Sequence, residues 1–94
     1  MDVALMVSEL PAADALDGTV LEPDEAEPFG VYRRTAQRVR VRWTPETRIV
    51  MGGAEDVQAG ALLRAHGRLG EGRRVVEAER LVILTRVGRI VEEN

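Results

Sequence analysis

The stretch that decides the fold is Gln37-Arg38-Val39-Arg40-Val41-Arg42-Trp43, in which apolar residues alternate strictly with arginines. Side chains of a β-strand point alternately to opposite faces, so a period of two predicts a strand with one buried face. A helix would spread the valines and the tryptophan around its axis and bury no common face. The pattern therefore predicts a strand within residues 31–43 whose outward face carries Arg38, Arg40 and Arg42.

Further strands are predicted on both sides of this one. Short apolar or alternating segments bounded by glycine, proline and acidic residues indicate strands, and they cover residues 15–21, 48–51, 61–69, 73–84 and 87–91.

The connections between these strands also have sequence signals. Residues 54–60 predict one helical turn, with Asp56 at its N-terminus and Gly60 in the left-handed conformation that follows a helix. Residues 22–30 combine acids with prolines and predict an exposed loop. The glycines of residues 70–72 predict a hairpin connection.

The first 14 residues leave two structures open. Val3, Leu5 and Val7 alternate, as in a short strand, whereas the apolar run around them equally allows a helical turn. Pro11 is expected to end either structure. The chain is accordingly divided into an N-terminal extension, residues 1–14, and a barrel domain, residues 15–94.

The chain has 94 residues, enough for one domain with a modest core, and 45% of them are hydrophobic. It has no cysteine, which excludes disulfides and thiolate chemistry and fits a reducing compartment. No apolar run approaches the roughly 20 residues that span a bilayer. We expect a cytoplasmic chain; an exported chain whose signal has been removed is the alternative.

Acidic and basic residues are distributed unevenly along the sequence. All 13 basic residues are arginines within residues 31–94, whereas residues 1–30 hold eight acids and no arginine. Such a division indicates either a charged partner or an acidic segment that neutralises the basic half of the chain.

A candidate binding surface follows if strands 37–43 and 61–69 are neighbours, because their outward arginines would then form one basic strip. Arginine binds phosphate through two parallel hydrogen bonds, and aromatic rings stack on bases. The alternative is a solvated face neutralised by acids such as Glu77 and Glu79. The candidate surface comprises Arg38, Arg40, Arg42, Arg64, His66, Arg68 and Tyr32.

A candidate interface is the segment Leu81, Val82, Ile83 and Leu84, which is apolar on both faces of its strand. One face is expected to fill the barrel. The other is expected to be covered by the N-terminal segment or by a second subunit.

No catalytic or metal-binding set is found in the sequence. His66 is the only histidine and Ser8 the only serine, so a nucleophile with an oriented base is not indicated. The acidic run at residues 22–27 lacks the spacing of a calcium loop. We therefore predict no catalytic residue, no metal and no cofactor.

Small residues at Ala65, Gly67 and Ala78 suit a tightly curved barrel. The motifs Asp56-Val57-x-x-Gly60 and Leu63-x-Ala65-x-Gly67 also belong to this pattern. Over residues 15–84 the chain thus resembles a family of small bacterial OB-like barrel domains of unknown function. The resemblance implies a mostly-β, five-stranded OB-like barrel with one helical turn, and it implies no catalytic residues.

The function expected from this sequence is therefore a non-catalytic binding or assembly module that acts through a partner surface. We expect a protein partner or self-association and no membrane. Single-stranded nucleic acid bound to the arginine face is the alternative, although the sequence pI of 5.2 is far below that of typical nucleic-acid binders.

Overall fold

Seven strands and one 3-10 turn occupy the part of the chain that the computed structural model describes, residues 1–24, 30–70 and 75–91. The turn covers Ala54–Asp56. The strands are β1 (Asp2–Ala12), β2 (Ala15–Pro23), β3 (Val31–Arg42), β4 (Arg48–Val50), β5 (Leu62–Leu69), β6 (Val75–Ile83) and β7 (Arg89–Val91).

The strands form one sheet in the order β4-β6-β5-β1-β2-β3-β7, and a further pairing between β3 and β6 closes it. The closed part contains β1, β2, β3, β6 and β5, while β4 and β7 extend it beside β6 and β3. The closing pair is parallel, with Val41 opposite Val76, and the other barrel pairs are antiparallel. The predicted mostly-β, five-stranded barrel is confirmed, and it is consistent with an OB-like fold.

The N-terminal segment is a strand, and it lies within the barrel. β1 pairs with β2 on one side and with β5 on the other, so residues 2–12 supply a barrel wall, not an extension outside it. Pro11 does not end the strand before Ala12, contrary to expectation. The β1–β2 register shifts between Val7 and Glu9 and again between Glu9 and Ala12, and such irregular pairing tolerates a proline that has no N–H to donate.

The barrel interior is filled by aliphatic side chains from every wall. Leu5, Leu16, Leu63 and Leu81 are all 0% exposed, and Trp43 packs against this cluster while staying partly exposed. Among the described residues, every member of this interior cluster is apolar. The interior therefore serves packing, and polar chemistry is confined to the outside of the barrel.

A second apolar cluster lies on the outer faces of several strands. Ala4, Leu21, Tyr32 and Leu62 form its buried part, with Met6, Leu84 and Ile90 packed against them. Ala4 and Met6 alternate with the interior residue Leu5 on β1, so the two faces of one strand serve two cores.

The predicted helical turn is present in its short 3-10 form. The backbone N–H of Gly53 donates to Oδ2 of Asp56 over 2.8 Å, and Gly60 has a φ of +90°. In the predicted loop at residues 22–30, Glu22 and Pro23 belong to β2. Residues 25–29 of that loop and residues 71–74, which include most of the predicted hairpin connection, lie outside the described residues.

Candidate functional site

The arginine rows point outward on two strands as predicted, but they do not form one strip. Arg38, Arg40 and Arg42 are exposed on β3. β3 and β5 are not neighbours, because β6 lies between them on one side and β2 and β1 on the other. Alternation within a strand does not encode which strand lies beside it, so the single basic strip that depended on this pairing is wrong.

The middle arginine of the β3 row is held by the acidic N-terminal third of the chain. Arg40 donates from Nε to Oδ1 of Asp17 over 2.7 Å and from Nη2 to Oδ2 over 3.0 Å. The Arg40 hydrogen bond lowers the pKa of Asp17 against a smaller opposing effect of burial, and the same bond raises the pKa of Arg40. Arg40 is therefore engaged within the fold.

The β5 row is also partly neutralised. Nε of Arg64 lies 3.3 Å from Oδ1 of Asp2, and Nε of Arg68 lies 3.9 Å from Oε1 of Glu79. His66, between them on the strand, is exposed.

The two rows meet an acid at one end of the barrel. Arg42 on β3 lies opposite Glu77 on β6, and Glu77 lies opposite Arg68 on β5. Beside them is a cavity of about 470 Å³, here called the end cleft. Its lining residues are Asp14, Arg42, Trp43, Thr44, Glu46, Thr47, Arg68, Glu77, Ala78 and Glu79.

Backbone and side-chain hydrogen bonds fix the walls of the end cleft. The N–H of Trp43 donates to the carbonyl of Asp14 over 3.0 Å. The hydroxyl of Thr47 donates to the carbonyl of Ala78 over 2.8 Å and accepts from the N–H of Thr44 over 3.1 Å. The β1–β2 turn, the end of β3 and the start of β6 are thereby joined around the cavity.

Among the described residues, the lining of the end cleft carries more negative than positive charge. Asp14, Glu46, Glu77 and Glu79 line it against two arginines, and Trp43 is the one aromatic residue in this described lining. Carboxylates around an indole ring suit a cationic group, which gains from the carboxylate charge and from the face of the ring.

No family model, curated protein or solved structure matches the chain. The resemblance to a bacterial family thus stays a prediction, and the barrel itself is supported by the structure.

The remaining predicted residues lie elsewhere. Tyr32 is 6% exposed within the second apolar cluster. Leu81 and Ile83 are buried in the barrel interior, Leu84 packs in the second cluster with residues of β1, and Val82 is half-buried opposite Val50 of β4. The apolar segment is thus largely occupied by packing within one chain.

Sequence reasoning missed the end cleft as a site. Trp43 was expected to pack with the core valines, which it does, but its partial exposure at the end of β3 places it in the cleft wall. Glu77 carries a usable signal, because it alternates with the core residues Val76 and Ala78 and must point outward.

Across residues 1–24, 30–70 and 75–91, no three His, Asp or Glu side chains are grouped to hold a metal ion. No helix in this part of the chain is long and apolar enough to cross a bilayer.

Proposed function

We propose that this chain is a non-catalytic binding module that holds a basic segment of a partner protein in the end cleft. The observation that supports this is the lining of the cleft, four carboxylates and one indole ring around a cavity of about 470 Å³. We also place the protein in the cytoplasm, for which the lack of cysteine is the support.

Electrostatics favour a basic segment over a phosphate chain at this site. The carboxylates outnumber Arg42 and Arg68 by four to two, so a phosphodiester entering the cleft would meet net repulsion. A lysine or arginine side chain would pair with Glu77 or Glu46 and place its charge over the ring of Trp43.

The location also agrees with how barrels of this type are used. The end cleft lies beside the β1–β2 turn and the neighbouring ends of β5 and β6, and OB-fold barrels bind ligands at the loops that join the corresponding strands. This support is an analogy between folds and does not identify the partner.

Trp43 is the only tryptophan of the chain, so tryptophan fluorescence comes from a single residue in the wall of the end cleft. The experiment titrates the protein with a short peptide of alternating glycine and arginine and, separately, with an oligothymidylate. We expect the peptide to change Trp43 emission with saturation, and its affinity to fall as salt screens the charges.

Charge variants decide whether the signal comes from the proposed contacts. Glu77→Gln should weaken peptide binding about three- to fivefold, the effect of one exposed charge pair, and Arg42→Gln should strengthen it. Glu55→Gln is the matched control, because Glu55 is an exposed acid on the 3-10 turn outside the cleft. A peptide that leaves Trp43 emission unchanged, or equal losses in the Glu77 and Glu55 variants, would refute the proposal.

Single-stranded nucleic acid remains the second candidate. Its support is that Arg38 and Arg42 are exposed on β3 and have no ion pair within the described ranges. It makes the opposite prediction in the same titration: the oligothymidylate would bind, and Arg42→Gln would weaken binding.

A further inference from the structure

A second charged feature lies on the outer face of β4, β6 and β5 and shares no residue with the lining of the end cleft. Arg48 on β4 lies directly opposite Arg80 on β6, and Arg80 lies directly opposite His66 on β5. All three side chains are exposed. Because neighbouring strands are about 4.8 Å apart, this basic row extends about 10 Å across the sheet.

A β-bulge is what brings Arg80 into the row. The β5–β6 register shifts between His66 and Gly67, so that Glu79 has no partner opposite it on β5. Regular alternation from the buried residue Ala78 would turn Arg80 inward, whereas Glu79 and Arg80 are both exposed. Bulges re-aim side chains in this way at the cost of regular pairing.

The bulge also requires a glycine. At Gly67 a Cβ atom would overlap the carbonyl oxygen of Glu77, so the two backbones approach more closely here than any other residue allows. The bulge thus depends on residues of both strands, Gly67 on β5 and Glu79, the residue without a partner opposite it, on β6.

The arrangement of charge in the basic row is unfavourable for the free protein. Like charges directly opposite each other on neighbouring strands destabilise a sheet, and neither Arg48 nor Arg80 has an acidic partner among the residues that the structure describes. Two acids next to the row have other partners: Asp2, which lies opposite His66, pairs with Arg64, and Glu79, which precedes Arg80, pairs with Arg68.

We infer that Arg48, Arg80 and His66 form a binding site for a phosphate group. Two guanidinium groups and an imidazole together offer more hydrogen-bond donors than the two oxygens of a carboxylate can accept. A phosphate presents three or more acceptor oxygens and up to two negative charges, so it matches these donors better. The bound phosphate removes the repulsion between Arg48 and Arg80. This site is independent of the end cleft and of the partner proposed for it.

The test is an NMR titration of the whole chain with inorganic phosphate, with chloride replaced to keep the ionic strength constant. We expect the resonances of Arg48, His66 and Arg80 to shift with saturation. Arg80→Gln should weaken phosphate binding at least about threefold. Arg86→Gln is the matched control, because Arg86 is likewise exposed and unpaired in the described residues but lies in the turn after β6; it should leave the affinity unchanged.

A stability measurement gives a second readout that does not need a ligand. In low-salt buffer without phosphate, Arg80→Gln should raise the melting temperature by about 1–4 °C, because it relieves the repulsion from Arg48. Added phosphate should stabilise the wild-type protein more than this variant. A parallel titration with an oligothymidylate identifies the source of the phosphate. If the oligothymidylate binds more tightly per phosphate group than inorganic phosphate does, the ligand is a nucleic acid; if the two affinities are equal, it is a free phosphate.

Three results would overturn the inference. One is equal weakening by Arg86→Gln and Arg80→Gln, which would indicate general attraction between charges. Another is the absence of shifts in the basic row. The last is tighter binding of a glutamate-rich peptide than of phosphate at the same ionic strength, which would assign the row to an acidic protein segment. None of these readouts involves Trp43, so they are separable from a failure of the end-cleft proposal.

Discussion

Arg40 and Asp17 form a two-point ion pair between β3 and β2, with Nε 2.7 Å from Oδ1 and Nη2 3.0 Å from Oδ2. The pair joins the arginine-bearing half of the chain to its acidic N-terminal third. Because Arg40 hydrogen bonds hold the pKa of Asp17 below its ordinary value of 3.8 in the folded protein, the pair stabilises the fold above that value. Its contribution is lost as the pH falls through the lowered folded-state pKa, where the carboxyl is protonated in both states.

Replacement of Asp17 by asparagine should therefore lower the melting temperature at neutral pH, and the difference from wild type should shrink as the pH falls below 3.8. Thermal unfolding followed by circular dichroism across this range measures the effect. Arg42→Gln removes an arginine from the same strand without touching the pair and is the control. A melting-temperature difference between Asp17→Asn and wild type that stays constant down to the lowest pH would contradict a stabilising ion pair at Asp17.

Leu5 tests whether the N-terminal segment belongs to the barrel. Its side chain is 0% exposed within the interior cluster, so Leu5→Ala should cost about 2–5 kcal/mol of unfolding free energy. Leu10→Ala on the same strand, where Leu10 is 43% exposed, should cost less than about 0.5 kcal/mol. Urea unfolding of both variants measures these free energies. Equal small losses of unfolding free energy in the two variants would mean that β1 is dispensable for the barrel.

Thr47 tests the hydrogen bonds that shape the end cleft. Thr47→Val keeps the volume but removes the hydroxyl that donates to the carbonyl of Ala78 and accepts from the N–H of Thr44. We expect a loss of about 1–2 kcal/mol in unfolding free energy and a changed Trp43 emission. Thr47→Ser keeps the hydroxyl and should retain most of the stability. A Val variant as stable as the wild type would contradict the role given to the hydroxyl.

Features that depend on neighbouring residues were predictable from the sequence. The alternation in residues 37–43 placed Val39 and Val41 inside and the arginines outside, and the structure agrees. Gly60 adopts the positive φ expected of it. Local backbone preferences and the two-residue period act over a few residues, so a short stretch carries enough information to predict them.

Two features of the candidate sites were not predictable in this way. Leu69 shares a face with Leu63 by alternation and lies opposite the buried Val76, yet it is 60% exposed at the last position of β5. Arg80 points outward because a bulge interrupts the alternation. Both depend on where a strand ends or shifts relative to its partner, which the partner strand decides.

The periodicity of the chain alone thus established that it is a β-protein and which side chains face outward on β3. Only the closed barrel decided that β6 separates β3 from β5, which divides the arginine rows, forms the end cleft around Glu77 and aligns Arg48, Arg80 and His66. The reason is physical: a side chain's direction follows from its own backbone, whereas its neighbour across the sheet follows from how strands distant in sequence pair when the barrel closes.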